Sequence, residues 1–173
     1  MDKNTARKTG LRNRSLLSEE QRKQKSRDIF IQVLNVIHDA RLVGCYVSMK
    51  DEVSTGEILH YCFTMRIPVC VPKVENDTLA FYEIASEDDL GDGVFGTKEP
   101  VRGKKVNIPD IDVMLVPLSS FDAQNNRTGY GKGYYDSILT QCSEKIGLAF
   151  DEQKVETIDT DPWDVKLDSV FHA

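Results

Sequence analysis

The chain has 173 residues, 40% apolar and 29% charged, with a formal net charge of −6, values typical of a folded domain that can bury a core without disulfides. No apolar run reaches the roughly 20 residues needed to span a bilayer and no signal-peptide core opens the chain, so a cytosolic protein is expected. Four cysteines without a C-x-x-C pair and three scattered histidines speak against a zinc site.

The charge is unevenly spread. Residues 1–27 hold nine Lys/Arg against three Asp/Glu, and the remainder holds thirteen against twenty-five. A basic N-terminal arm (residues 1–17) on an acidic body points to an anionic partner. Nucleic acid fits poorly, because no aromatic residue interleaves the cations and the body would repel a long polyanion. A mitochondrial presequence is opposed by the capping-box spacing from Ser18 to Gln21, which opens a helix of the domain itself. A small phosphorylated ligand fits better, with a solvated helix face accounting for most of the charges.

A short helix in the arm precedes one running from Ser18 to about Ala40, where Ile29, Val33, Val36 and Ile37 make an i, i+4, i+7, i+8 stripe. Residues 42–47 are an apolar run of strand length. The segment from Ser54 to Glu57 repeats the capping spacing, and Ile58, Leu59, Cys62 and Phe63 give the next helix one apolar face. Residues 67–71 predict a second strand, so this stretch reads as a right-handed βαβ crossover. A strand is expected over 79–84, a long surface loop over 91–108, a strand over 111–116, a helix over 134–141 and a strand over 146–150. Cys45, Cys62 and Cys70 fall on these apolar elements and read as buried small hydrophobes. The fold class is α/β, a single domain with a mostly parallel sheet flanked by helices.

Directly after the 111–116 strand and a short connection come Arg127, Thr128, Gly129, Tyr130, Gly131, Lys132, Gly133, Tyr134, Tyr135 and Asp136. Three glycines let the backbone adopt φ > 0 or bring N–H groups close to a ligand, and Lys132 adds a mobile charge among them. A helix starting near Tyr134 would add its dipole, and Asp136 could hold a divalent cation against phosphates. The run is not a Walker A loop, since no Ser or Thr follows Lys132, and its spacing is not G-x-G-x-x-G. A flexible turn is the plain alternative. Ligands of open α/β sheets bind outside the carboxyl ends of the strands. Residues 48–52, the glycine run and the acidic stretch after Asp151 and Glu152 all follow strands and could meet in one cleft. A solvated, helix-capping turn is the alternative for Asp51 and Glu52.

These residues resemble the 5-formyltetrahydrofolate cyclo-ligases, also called 5,10-methenyltetrahydrofolate synthetases. The likeness is carried by residues 116–122 and 126–136, by Tyr46 to Glu52, by the Lys3-x-x-x-Arg7 start, and by Leu148 to Gln153 leading to Trp163 to Asp168. It implies a three-layer α/β/α fold and an ATP- and Mg²⁺-dependent conversion of 5-formyltetrahydrofolate to 5,10-methenyltetrahydrofolate, with release of ADP and phosphate. By the same resemblance, Lys3, Arg7 and residues Arg127 to Tyr135 hold ATP, with Lys132 and Arg127 acting on the transferred phosphoryl group. Asp136 and Asp164 hold Mg²⁺, and Val47, Glu52 and the stretch from Tyr130 to Tyr134 contact the folate. Small-molecule substrates, no nucleic acid or membrane partner, and a monomer are expected. The sequence departs from the family pattern at Ala6, at Ser119 and Ser120, and at Thr128, where larger apolar, Gly/Ala and leucine residues are usual. A related ATP-dependent small-molecule ligase and a non-catalytic folate- or nucleotide-binding relative are the other readings.

Overall fold

The computed structural model describes residues 1–173 except for the side chain of Phe95. Two capped helices open it. Asp2 accepts the Thr5 N–H at the start of α1 (Lys3–Ser15), and Ser18 with Gln21 forms the expected capping box of α2 (Glu19–Ile37). The third helix, α3 (Gly56–Met65), follows the first strand, β1 (Val43–Cys45), and leads into β2 (Val69–Glu75). Asn76 and Asp77 then take positive φ (50° and 60°) and turn the chain tightly into β3 (Thr78–Ile84), as two-residue hairpins require.

Residues 90–106 hold β4 (Leu90–Asp92), β5 (Lys98–Pro100) and β6 (Lys104–Val106). The expected long loop is therefore corrected to a β4–β5 hairpin and an edge strand; three-residue strands are too short to show an alternating pattern. Next come β7 (Val113–Val116), β8 (Ser120–Phe121), β9 (Arg127–Thr128), α4 (Asp136–Leu139), β10 (Glu144–Ala149) and β11 (Ser169–His172). The main sheet has the order β11-β10-β7-β1-β2-β3-β6. Pairing is parallel from β11 to β2 and antiparallel at β2–β3 and β3–β6. β2 runs through Pro72 because β1 pairs only as far as Cys70, leaving the proline with no ladder bond to supply on that side.

Strand alternation feeds two cores. Val113 and Leu115 of β7, with Val43, Cys45, Val69 and Val71, face Ile29, Val33 and Ile37 of α2 and Ile58 and Cys62 of α3. Met114 and Val116 point the other way, with Cys70 and Ala149, toward Ile138 and Leu139 of α4 and toward Leu118, Phe121 and Leu167. Each fully buried Leu or Ile stabilises the fold by roughly 1.5–3 kcal/mol, so a one-residue slip of β7 would exchange both sets at once. The three layers are present, but the second is thin: the helix expected over 134–141 is one turn. All four cysteines are free and buried, and burial pushes the Cys62 and Cys142 thiols up to about 11, which keeps them inert. Among the described residues no helix is long and apolar enough to cross a membrane.

Candidate active site

The chain visits β2 on one side of β1 and β7 on the other, so the order reverses between β1 and β7, where ligands of such sheets bind. From the end of β7 the β8–β9 hairpin carries the chain out and back, and the glycine run begins there. Asp122 holds that turn. It is 1% exposed and accepts the N–H groups of Gln124, Asn126 and Ile158 (3.0, 3.0 and 2.9 Å) and the Asn126 amide (3.1 Å). Burial alone would raise its pKa, but the bonds from Ile158, Asn126 and Gln124 outweigh it and hold the carboxyl below the usual range. Ser119, Ser120 and Thr128, all buried, meet in one hydroxyl cluster. Thr128 Oγ1 lies 2.7 Å from Ser119 Oγ and 2.5 Å from Ser120 Oγ, and Ser119 Oγ also donates toward the Gly129 carbonyl at 2.7 Å. The departures at Ser119 and Ser120 and at Thr128 are thus one packing unit.

Helix α1 lies across this hairpin with Ala6, Gly10 and Arg14 on its buried face, spaced by four residues. Gly10 permits the approach, since a Cβ there would sit 2.0 Å from the Ser119 carbonyl oxygen. Wholly buried Ala6 packs with Val155 and Ile158. The arm's cations then reach the site. Arg7 Nε donates to the Gly129 carbonyl (2.9 Å), and Lys3 Nζ pairs with Asp161 (2.8 Å) and Asp164 (2.5 Å). Burial works against the Lys3 charge, but the Asp161 and Asp164 carboxylates hold its pKa above the usual value. Lys25 pairs with Glu152 and Arg27 with Glu57, so much of the N-terminal charge is answered by the acidic body of the same chain.

Two cavities flank the glycine run. A polar one is lined by Lys3, Arg7, Arg127, Gly129, Asp136 and Asp164, with Thr128 in its wall. The other, about 180 Å³ and mostly apolar, is lined by Val47, Glu52, Glu99, Tyr130, Tyr134 and Tyr135, with Tyr46 and Pro117 at its base. The wall between them is a stack. The Arg127 guanidinium lies 5.9 Å from the Tyr135 ring centroid while donating to the Pro117 carbonyl (3.0 Å) and pairing with Asp136 (3.3 Å). Two polar atoms in this wall, Arg127 Nε and the Tyr135 hydroxyl, are buried without a partner among the described residues. Such groups are rare in folded proteins and suit a site completed by a ligand.

At the mouth of the apolar cavity Glu52 accepts the Met49 N–H (2.8 Å) and the Tyr130 hydroxyl (2.9 Å), and that hydroxyl accepts from Arg14 Nη1 (2.8 Å). Burial raises the Glu52 pKa, while the Met49 and Tyr130 hydrogen bonds and the Arg14 charge pull against it.

The residues expected from sequence therefore fall into two groups and a rim. Lys3, Arg7, Arg127, Thr128, Gly129, Asp136 and Asp164 share the polar cavity; Val47, Glu52, Tyr130, Tyr134 and Tyr135 share the apolar one. Gly131, Lys132 and Gly133 line neither and are exposed on the loop between Tyr130 and Tyr134. The helix dipole expected behind them is corrected. Gly131 and Gly133 take positive φ (92° and 72°), which turns the run over, and α4 is too short to supply a dipole. Cation side chains carry the attraction for anions instead. Two residues were missed. Arg14 reads as one more arm cation, and Glu99, buried and accepting the Val74 and Val94 N–H groups, lies in the stretch taken for a loop.

Magnesium fits the polar cavity in kind. No cluster of three or more acidic, His or Cys ligands occurs among the described residues, and Mg²⁺ characteristically takes one or two carboxylates plus phosphate oxygens and water. Asp136 and Asp164 supply two hard oxygen donors on one cavity.

The 5-formyltetrahydrofolate cyclo-ligase family model matches residues 1–173. A 5-formyltetrahydrofolate cyclo-ligase from Mycoplasma pneumoniae is 32% identical, with 99% of each chain covered, and one from Haemophilus influenzae is 29% identical over 89% of this chain and 88% of its own. The solved structure of Aquifex aeolicus 5,10-methenyltetrahydrofolate synthetase superposes with a TM-score of 0.88 at 33% identity, covering 98% of this chain and 89% of that one. A 5,10-methenyltetrahydrofolate synthetase structure from Mycoplasma pneumoniae gives 0.80 at 28% identity, covering 99% and 98%. With the whole sequence matched and the sheet, the hairpin and the paired cavities in place, the chain belongs to the 5-formyltetrahydrofolate cyclo-ligase family.

Proposed function

We propose that this enzyme catalyses the reaction for which its family is named, closing 5-formyltetrahydrofolate to 5,10-methenyltetrahydrofolate with ATP as co-substrate, within one domain spanning residues 1–173. The observation that carries the reading is the shared Arg127–Tyr135 wall, which sets a cation-lined cavity against an apolar one under the glycine run. The triphosphate lies on Lys3, Arg7, Arg127 and the backbone from Thr128 to Gly133, and the folate enters the apolar cavity with its pterin N–H groups on Glu52.

The chemistry then needs positioning and charge neutralisation more than a protein nucleophile. The formyl oxygen attacks the γ-phosphorus and ADP leaves. Phosphorylation converts a poor leaving group into a good one, N10 attacks the activated carbon, loses its proton, and phosphate departs. Arg127, held by Pro117 and Asp136, presents its charge at the wall the phosphoryl group must cross, and Lys132 on the exposed loop neutralises the moving charge. The Tyr135 hydroxyl, unpartnered and desolvated, gains a ligand bond in the complex. When bound at Asp136 and Asp164, Mg²⁺ supplies further screening of the phosphate oxygens. A monomer is the working unit of this reading.

The test is to mix purified protein with 5-formyltetrahydrofolate and MgATP and to follow methenyl-folate absorbance together with ADP release. Stoichiometric formation of both is expected. Folate and ATP binding without product would instead favour a non-catalytic relative.

A further inference from the structure

Three segments far apart in sequence meet at one hydroxyl. Arg14 closes the last turn of α1 and is 8% exposed; its Nη1 donates to the Tyr130 hydroxyl at 2.8 Å, and its guanidinium carbon lies 5.8 Å from the Tyr130 ring centroid. That hydroxyl has one proton, and Glu52 Oε2 at 2.9 Å competes for it with the Leu118 carbonyl at 3.5 Å. The shorter contact, to the carboxyl oxygen, wins. The chain of bonds therefore runs Arg14 to Tyr130 to Glu52 to the Met49 N–H, each donor facing one acceptor.

We propose that Arg14 is a positioning residue for the folate site: acting through the Tyr130 hydroxyl, it holds the Glu52 carboxyl group in the orientation of an acceptor, so that the N-terminal helix takes part in folate recognition without touching the folate. The inference rests on the reading of Glu52 as the pterin acceptor. Arg14 lines neither cavity, whereas both of the residues it acts through line the apolar one. Burial raises the Glu52 pKa, and the Met49 and Tyr130 bonds and the Arg14 charge oppose it. Two phenols also face Glu52. Tyr46, which continues β1, and Tyr135 of the glycine run both feel its charge, and burial pushes both of their hydroxyls up, so they stay neutral. Glu99 and Lys98 line the far side of the cavity, where Glu99 is taken up by the Val74 and Val94 N–H groups. A bridged arginine also explains why a tyrosine in a glycine-rich loop keeps its hydroxyl inward while the residue as a whole is 45% exposed.

The sign of the consequence is fixed. Cutting the relay leaves burial less opposed, so the ionised form of Glu52 is lost at a higher pH than in the wild type. The experiment measures ADP release against pH between roughly pH 5 and 8 for the wild type, Arg14→Met, Arg14→Lys, Tyr130→Phe and the Arg14→Met/Tyr130→Phe double variant. Calorimetric titration of 5-formyltetrahydrofolate runs in parallel and reads the same comparison if turnover fails. Arg14→Met and Tyr130→Phe are each expected to weaken folate binding about tenfold, to move the acid limb of kcat/KM upward, and to combine with no further loss in the double variant. Arg14→Lys restores the acid limb, and the KM for ATP in Arg14→Met stays within about twofold of the wild type. An unmoved acid limb in both single variants overturns the inference, as do additive effects in the double variant. A KM for ATP in Arg14→Met that rises as much as that for folate also overturns it, because Arg14 would then merely hold α1 in place. Tyr130→Phe removes only a hydroxyl from a half-exposed ring, which keeps the test sound if Arg14→Met folds poorly. A wild type that binds folate but makes no product would strike the catalytic reading and leave the relay to be judged by the titrations.

Discussion

Gly10→Ala asks whether helix α1 is held on the hairpin by close backbone contact. In an unconstrained helix interior the change would stabilise by about 1 kcal/mol, because alanine is the better helix former. Here the new Cβ would meet the Ser119 carbonyl oxygen at 2.0 Å, the Ser120 Cβ at 2.8 Å and the Ser119 carbonyl carbon at 2.9 Å. None of these is the end of a flexible side chain, and both serines are fully buried. The helix must move away by an ångström or more, at an overpacking cost of about 2–3 kcal/mol. The net expectation is about 1–2 kcal/mol of destabilisation, a fall in Tm of roughly 2–8 °C for a domain of this size. Function should suffer more than stability, because the same shift draws Arg7 off the Gly129 carbonyl and Arg14 off Tyr130. Scanning calorimetry and the ADP-release assay measure the two effects separately. A variant with raised Tm and unchanged KM values would refute the reasoning, since helix propensity alone would then have decided the outcome.

Lys132→Ala should lower kcat about a hundredfold with folate affinity nearly unchanged, because its charge matters most as the phosphoryl group moves; single-turnover kinetics with a folate titration would check this, and unchanged turnover would remove Lys132 from the mechanism. Asp136→Asn should raise the Mg²⁺ concentration needed for half-maximal rate, and an unaltered Mg²⁺ titration would leave Asp136 as a partner of Arg127 only. Asp122→Asn should cost about 2–4 kcal/mol at neutral pH by urea unfolding. Because the folded carboxyl is held below its unfolded value, its contribution is complete above the unfolded value and fades as pH falls through the folded one. The variant should therefore show a flatter loss of stability toward acid, and an identical acid slope would assign that slope to other carboxylates.

Where a segment carries a repeated pattern, the sequence was enough. The Ile29, Val33, Ile37 stripe, the apolar cores of β1, β7 and β10, and the capping box at Ser18 all lie where their spacing puts them. The carboxylates Glu52, Asp136 and Asp164 were likewise named as site candidates and line two adjoining cavities, whereas Gly131, Lys132 and Gly133 of the glycine run lie on an exposed loop beside them. What escaped was set by contacts distant in sequence. β4, β5, β6 and β11 are too short to carry a period and exist because a neighbour offers a ladder. The helix over 134–141 shrank to α4 because Gly133 turns at positive φ just before it and only Ile138 and Leu139 are buried in it. Arg14 could not be told from its neighbouring cations, since what distinguishes it is a tyrosine 116 residues away.

The clamp of Lys3 on Asp161, across a separation of 158 residues, bears on how the protein is made. The segment around Lys3 completes its site only against one synthesised 158 residues later. Until residues 151–164 emerge, α1 has neither the Ala6 pocket of Val155 and Ile158 nor the carboxylates that anchor Lys3. Contacts of such long range form late and slow the search for the native state. The βαβ unit of β1, α3 and β2 needs nothing from the C-terminal half of its sheet to pair β1 with β2. Assembly of the polar cavity is thereby expected late in folding, so that on the proposed reading a nascent chain with a half-built sheet would not yet hold ATP.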